Sequence, residues 1–238
     1  MNNFFEDSYN LRAADFDRWS TLRPSAIMDL FQDIAGRHAN ELGCGLEALM
    51  KKNIVWILVK LRFRVLNEAH MYQQVKVRTW PLPPQRISYT REYLISDENG
   101  EPIVEGSSEW VLMDFSSRKI VALGDIYPLE NFCEKRNFEE RFPRLRAFDA
   151  ESAYSFLPPY SDFDMNGHVN NTKYANFVLD AIAPEKALPL KELRMEYHRE
   201  VLPGEKLNIL TARQDSIILA RGENEAGEKM FTCHIETR

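Results

Sequence analysis

The chain has 238 residues, 44% of them hydrophobic and 28% charged, a balance that suits one large or two small fused globular domains and excludes a disordered, collagenous or membrane-embedded chain. Thirty Lys and Arg against 36 Asp and Glu leave a formal charge of −6, so no basic footprint points to nucleic acid as a main partner. Cys44, Cys133 and Cys233 stand far apart without metal-ligand spacing, no apolar run approaches the roughly 18 residues of a membrane helix, and the start MNNFFEDSYN has no basic region followed by an apolar core. These features predict reduced thiols, no bound metal, no membrane span and a cytoplasmic address.

After a short polar start, Pro24 and Ser25 open a helix in which Ile27, Leu30, Phe31 and Ile34 recur at i, i+3, i+4, i+7, and Gly43 and Gly45 end it. From Val55 the period changes to two. Val55, Ile57, Val59, Leu61, Phe63 and Val65 then share one face of a strand, and Lys60, Arg62 and Arg64 share a wet one. Residues 74–80, 87–96 and 103–114 read as further strands, the last entered through the turn Asp97-Glu98-Asn99-Gly100. Residues 124–150 lose the period, carry many charges and contain Pro128 and Pro143, which suits a connection over the surface. Beyond it, Asn170 or Asn171 can cap a helix bearing Tyr174, Phe177, Val178 and Ala181, and strands follow near 193–201, 207–213, 216–223 and 229–236.

The element order thus occurs twice, and the residues repeat with it. Asp-Phe-Asp stands at 15–17 and at 162–164; the same offset of 147 places Ile27 on Tyr174, Leu30 on Phe177 and Phe31 on Val178. In the sheet the offset becomes 132 and superposes Leu61 on Leu193, Arg62 on Arg194, Glu68 on Glu200 and Thr79 on Thr211. The expectation is a duplicated helix-on-sheet unit, paired side by side into one continuous antiparallel sheet, with repeats at 1–123 and 151–238 and a linker at 124–150.

A duplication carries its own control, because residues needed for the fold recur in both copies while a catalytic set can survive in one. Where the first copy reads Asp17-Arg18-Trp19-Ser20-Thr21-Leu22-Arg23, the second reads Asp164-Met165-Asn166-Gly167-His168-Val169-Asn170. A carboxylate, an amide and an imidazole therefore alternate just ahead of a helix N-terminus, a setting that favours negative charge and oxyanion stabilisation. The same residues also suit a tight turn with caps, since Asn166-Gly167 is a turn dipeptide. Glu200, at the end of a strand, can face the loop as a base or as the orienter of one, although its counterpart Glu68 allows a purely structural glutamate.

Asp164-x-Asn166-x-His168-x-Asn170-Asn171, then Lys173-Tyr174, then Glu196-Tyr197-x-Arg199-Glu200 resemble the acyl-[acyl carrier protein] thioesterases of the double hot-dog type. Thr79-Trp80-Pro81 and Trp110-Val111-Leu112-Met113-Asp114 resemble that family's amino-terminal half. The resemblance implies an α+β fold of tandem hot-dog repeats, hydrolysis of fatty acyl thioesters held on an acyl carrier protein, no metal or organic cofactor, and Asp164, Asn166, His168 and Glu200 as the catalytic set. Plant members often carry cysteine after the glutamate; Val201 stands here, so activated water is the expected nucleophile, and the chain resembles the bacterial members, without a plastid transit segment. Trp19, Ile27, Phe31, Trp56 and Trp110 are the candidates for the walls of an acyl tunnel. Basic residues at Lys51-Lys52, Arg62-Arg64 or Arg194-Arg199 could dock an acidic carrier, and a monomer or a loose homodimer both fit a chain that already holds two copies. A hydratase or dehydratase of acyl thioesters and a non-catalytic acyl-thioester binder are the rival readings.

Overall fold

Each helix of the repeat is preceded by a strand that the sequence pattern conceals. A computed structural model describes residues 4–122, 132–143 and 145–238, so the Pro128 part of the connection, within 123–131, lies outside the described residues. The first copy runs β1 (Phe5–Asn10), α1 (Pro24–Glu41), a short α2 (Leu46–Met50), β2 (Ile54–Val65), β3 (Gln74–Pro81), β4 (Ser88–Ser96), β5 (Pro102–Asp114) and β6 (Ile120–Val121). The second runs β7 (Glu151–Phe156), α3 (Lys173–Ile182), β8 (Leu190–Tyr197), β9 (Leu207–Gln214), β10 (Ile217–Glu223) and β11 (Lys229–Thr237).

All these strands join one antiparallel sheet in the order β1-β3-β4-β5-β2-β8-β11-β10-β9-β7, with β6 added beside β5. The left half of that order, read outward from the middle, is the right half with each strand replaced by its repeat counterpart. At the seam β2 pairs with β8, and Arg62 stands opposite Arg194, its own counterpart in the repeat. A pseudo-twofold axis therefore passes between these two arginines. β1 and β7 escape notice in the sequence because they are short edge strands of mostly polar composition, FEDSYN and ESAYSF, which turn Phe5, Tyr9 and Phe156 to the core without a longer apolar alternation.

Pro24 at the first helical position starts α1, and Ile27, Met28, Phe31, Ile34 and Ala35 bury its stripe against the concave face. Its ridge sits close to the strands at Gly106, where an added Cβ would lie 2.3 Å from the Phe31 ring. The second helix starts at Lys173, later than expected, because the Asn170 side chain accepts from the Thr172 amide (3.0 Å) and extends the entry turn.

Two expectations for β2 are corrected. A bulge at Val59 breaks the alternation, so Leu58 joins Leu61 and Phe63 in the core while Ile57 and Val59 do not. The charged face is also not wet at Arg62, which is buried, although Lys60 and Arg64 on either side stay partly exposed. Residues 132–143 strap it: the Arg62 guanidinium lies 3.9 Å from the Phe138 ring and 4.6 Å from Phe142, and donates to the Glu140 carbonyl (2.6 Å). The Asn137 amide donates to buried Glu92 (3.0 Å), whose carboxyl burial pushes up in pKa.

Candidate active site

The loop 164–168 is built by its own backbone. Asp164 N–H donates to the His168 carbonyl (2.9 Å), Gly167 N–H donates to the Asp164 carbonyl (3.0 Å), and Gly167 sits at φ +79°, the left-handed region that glycine enters without strain. The Asp164 carboxylate accepts from the Asn166 amide (2.8 Å), closing an Asx turn. Val169 N–H then donates to the Val201 carbonyl (3.0 Å), which docks the loop against the chain leaving β8. Because 169 and 201 are tied, the residues before them become neighbours. His168 Nε2 lies 3.3 Å from Glu200 Oε2.

The strand ends at Tyr197 rather than reaching residue 201, so Glu200 projects from the following turn, where the His198 and Arg199 amides both donate to the Met230 carbonyl. The Tyr197 hydroxyl donates to the Asn171 carbonyl (2.9 Å), pinning the strand end to the start of α3. Burial holds the Tyr197 phenol well above its usual range and raises that of Tyr174 as well. The helix entry is less open than expected: the amides of Thr172 and Lys173 donate to Asn170, so an oxyanion would compete for them.

A cavity of about 760 Å³ opens beside the pair. The Asp164–Asn171 loop and the Tyr197–Glu200 turn form one end; β2, β4, β5 and α1 form the rest. Trp56 and Trp110 line it, Trp56 packing edge-on against Tyr89 at 4.8 Å and donating to the Cys44 carbonyl. The other three proposed wall residues do not. Ile27 and Phe31 are 0% and 1% exposed inside the core, Phe31 stacked on Tyr93 at 4.3 Å, because that face of α1 meets the sheet. Trp19 lies outside under Arg18, since the turn that corresponds to the His168 loop points it to solvent. Among the described residues no group of three or more His, Cys, Asp or Glu is arranged to hold a metal ion.

Two profile models of acyl-ACP thioesterase domains match this chain, the N-terminal one over residues 2–127 and the C-terminal one over 146–237. The chain belongs to the acyl-ACP thioesterase family. It is 28% identical over 225 residues to a chloroplastic acyl-[acyl-carrier-protein] hydrolase of Cuphea viscosissima, covering 87% of this chain and 55% of that protein. It is 23% identical over 245 residues to the chloroplastic oleoyl-acyl carrier protein thioesterase 1 of Arabidopsis thaliana, covering 94% and 67%. The chain spans about half the length of most of the curated relatives it matches. In fold it matches an acyl-ACP thioesterase from Bacteroides thetaiotaomicron (TM-score 0.91, 21% identity, 98% of this chain and 97% of that one) and the 12:0-ACP thioesterase of Umbellularia californica (TM-score 0.84, 20% identity, 100% and 98%). The α+β tandem hot-dog architecture is therefore that of the acyl-ACP thioesterase family.

Two features of this family member escaped the sequence reading. Gln32, Ala35, Gly36 and Ala39 on α1 line the cavity at i, i+3, i+4, i+7, a face of one amide and three small residues that was legible beside the large apolar one. Arg118, on the turn after β5, ion-pairs with Glu200; nothing in the local sequence announces it, since the meeting depends on the turn's register.

Proposed function

We propose that this chain hydrolyses fatty acyl thioesters carried on an acyl carrier protein, releasing the free acid and the carrier thiol. The observation that carries the reading is the His168–Glu200 pair, 3.3 Å apart, at the mouth of a cavity walled by Trp56 and Trp110. In this reading Nε2–H of His168 donates to Glu200, which leaves the Nδ1 lone pair as the base that takes a proton from water. Hydroxide adds to the thioester carbonyl, and the oxyanion is met by the Asn166 side-chain amide, since the Thr172 and Lys173 N–H groups at the helix entry already donate to Asn170. The tetrahedral intermediate then expels thiolate, which takes up the proton held by the imidazole. Asp164 supports the site by shaping the turn that presents Asn166 and His168. None of these steps calls for a metal or an organic cofactor.

The repeat boundaries 1–123 and 151–238, joined by 124–150, form part of the proposal, as does a chain that works as a monomer or a loose homodimer. A cytoplasmic address is proposed on the three free cysteines, two of them buried, which suit a reducing compartment; among the described residues no helix is long and apolar enough to cross a membrane.

The test is thiol release from a long-chain acyl carrier protein. Free thiol with stoichiometric fatty acid supports the reading. Substrate loss without thiol assigns double-bond chemistry instead, and binding without turnover assigns a silent acyl-thioester module.

A further inference from the structure

Glu200 Oε2 is approached from two sides. His168 comes from the second repeat, and Arg118 comes from the turn that follows β5 of the first repeat. We infer that Arg118 is a positioning residue for the hydrolysis proposed above, holding the Glu200 carboxylate in the one orientation that aligns His168.

The turn that carries Arg118 is braced on every side. Phe115 N–H donates to the Asn53 carbonyl (2.8 Å), Ser116 Oγ donates to Asn53 Oδ1 (3.0 Å), and Ser117 N–H donates to Asp114 Oδ1 (2.7 Å). Arg118 N–H donates to the Asp114 carbonyl (2.9 Å), and the residue itself is held at φ +58°. A non-glycine residue in that region is strained, and such strain persists where the surroundings enforce it. An ion pair offers little return for it in stability, since the Arg118 side chain is 47% exposed and Glu200 27%, and exposed pairs of this kind contribute little. What the arrangement does achieve is geometric. With Oε2 occupied by Arg118 and His168, the carboxylate plane is set and Oε1 remains for water or substrate. Arg118 also lines the cavity, so each repeat supplies a charged group to the reaction end.

The inference rests on the thioesterase reading, and the experiment separates the two. Wild-type protein and Arg118→Ala are assayed by thiol release on a small soluble acyl thioester and on acyl carrier protein, with thermal unfolding recorded for both. Absence of thiol release by the wild type would sink the parent reading and this inference with it, whereas wild-type thiol release that Arg118→Ala leaves unchanged would sink this inference alone. The expected result is a kcat loss on the order of 10²-fold on both substrates, the scale of a misplaced catalytic group, with KM for the small thioester unchanged. Added guanidinium should restore part of the rate, and Arg118→Lys should retain an intermediate one. Arg118→Ala in a Glu200→Gln background should cost nothing further, because the two residues act as one unit. The inference is overturned by unchanged kcat, by a loss confined to KM for the carrier substrate, which would mark Arg118 as a docking residue, or by a loss that guanidinium leaves untouched while the melting temperature falls. Should Arg118→Ala not fold, Arg118→Gln answers the same questions.

Discussion

The turns at Asp17–Thr21 and Asp164–His168 share one backbone and present different chemistry. In each, the aspartate N–H donates to the carbonyl four residues on, at 2.9 Å in both, and the aspartate carboxylate accepts from the amide two residues on, at 2.8 Å in both. Each turn is closed by a bridge, Phe16 to Leu22 and Phe163 to Val169, and each has a left-handed fourth residue, Ser20 at φ +62° and Gly167 at +79°. The turn is thus a device of the fold, and the aspartate's carboxylate is accounted for in both copies by the turn itself. The difference lies in Trp19 against Asn166 and Thr21 against His168.

The largest expected contrast is catalytic. His168→Ala should lower kcat for thioester hydrolysis by about 10²–10⁴, the usual worth of a general base, while Thr21→Ala leaves it unchanged; equal losses in a thiol-release assay would break the comparison. The first copy has an imidazole of another kind. His38 of α1 is buried, stacked on Phe5 at 5.6 Å, and its Nδ1 accepts from Arg91 Nη1 at 3.0 Å. Desolvation first, and the Arg91 charge second, lower its pKa from 6.5 to about 4. The folded state therefore binds fewer protons than the unfolded one between these values, and stability falls as pH drops through that window, by on the order of 3 kcal/mol at about 1.4 kcal/mol per unit. Urea unfolding at pH 7 and pH 4 should show His38→Gln to be less acid-sensitive than wild type by that amount.

Smaller effects test the shared turn. Asp17→Ala and Asp164→Ala should each cost on the order of 1 kcal/mol in unfolding free energy, the worth of a lost hydrogen bond. Asp164→Asn keeps the acceptor and should keep turnover; a large kcat loss in that variant would give the carboxylate charge a part in the chemistry. Gly167→Ala meets no atom within 4 Å but must hold a left-handed backbone, for about 1 kcal/mol measured by thermal unfolding.

Much of this was readable in the chain. The stripes of α1 and α3 and the alternation of the central strands follow from side-chain periodicity alone, and the two offsets exposed the repeat. The candidate site was legible as residue types, since an amide and an imidazole appear at 166 and 168 where the first copy has Trp19 and Thr21. What sequence could not supply was partnership across space. Ile27 and Phe31 were proposed as tunnel walls because apolar helix residues look alike; which face meets the sheet and which meets the cavity is set by packing. The bulge at Val59, the strap over Arg62 and the arrival of Arg118 at Glu200 arise from register and crossings that no local pattern encodes.

The meeting of Arg62 and Arg194 on the pseudo-twofold axis bears on why joining the copies matters. In a strictly symmetric pair of chains the two arginines would be identical and would need identical treatment. Here one is roofed by Phe138 and Phe142, and the other is neutralised by Glu192 on its own strand. Covalent linkage releases the halves from having to match, so a residue at the seam can be altered in one copy without the same change in its twin.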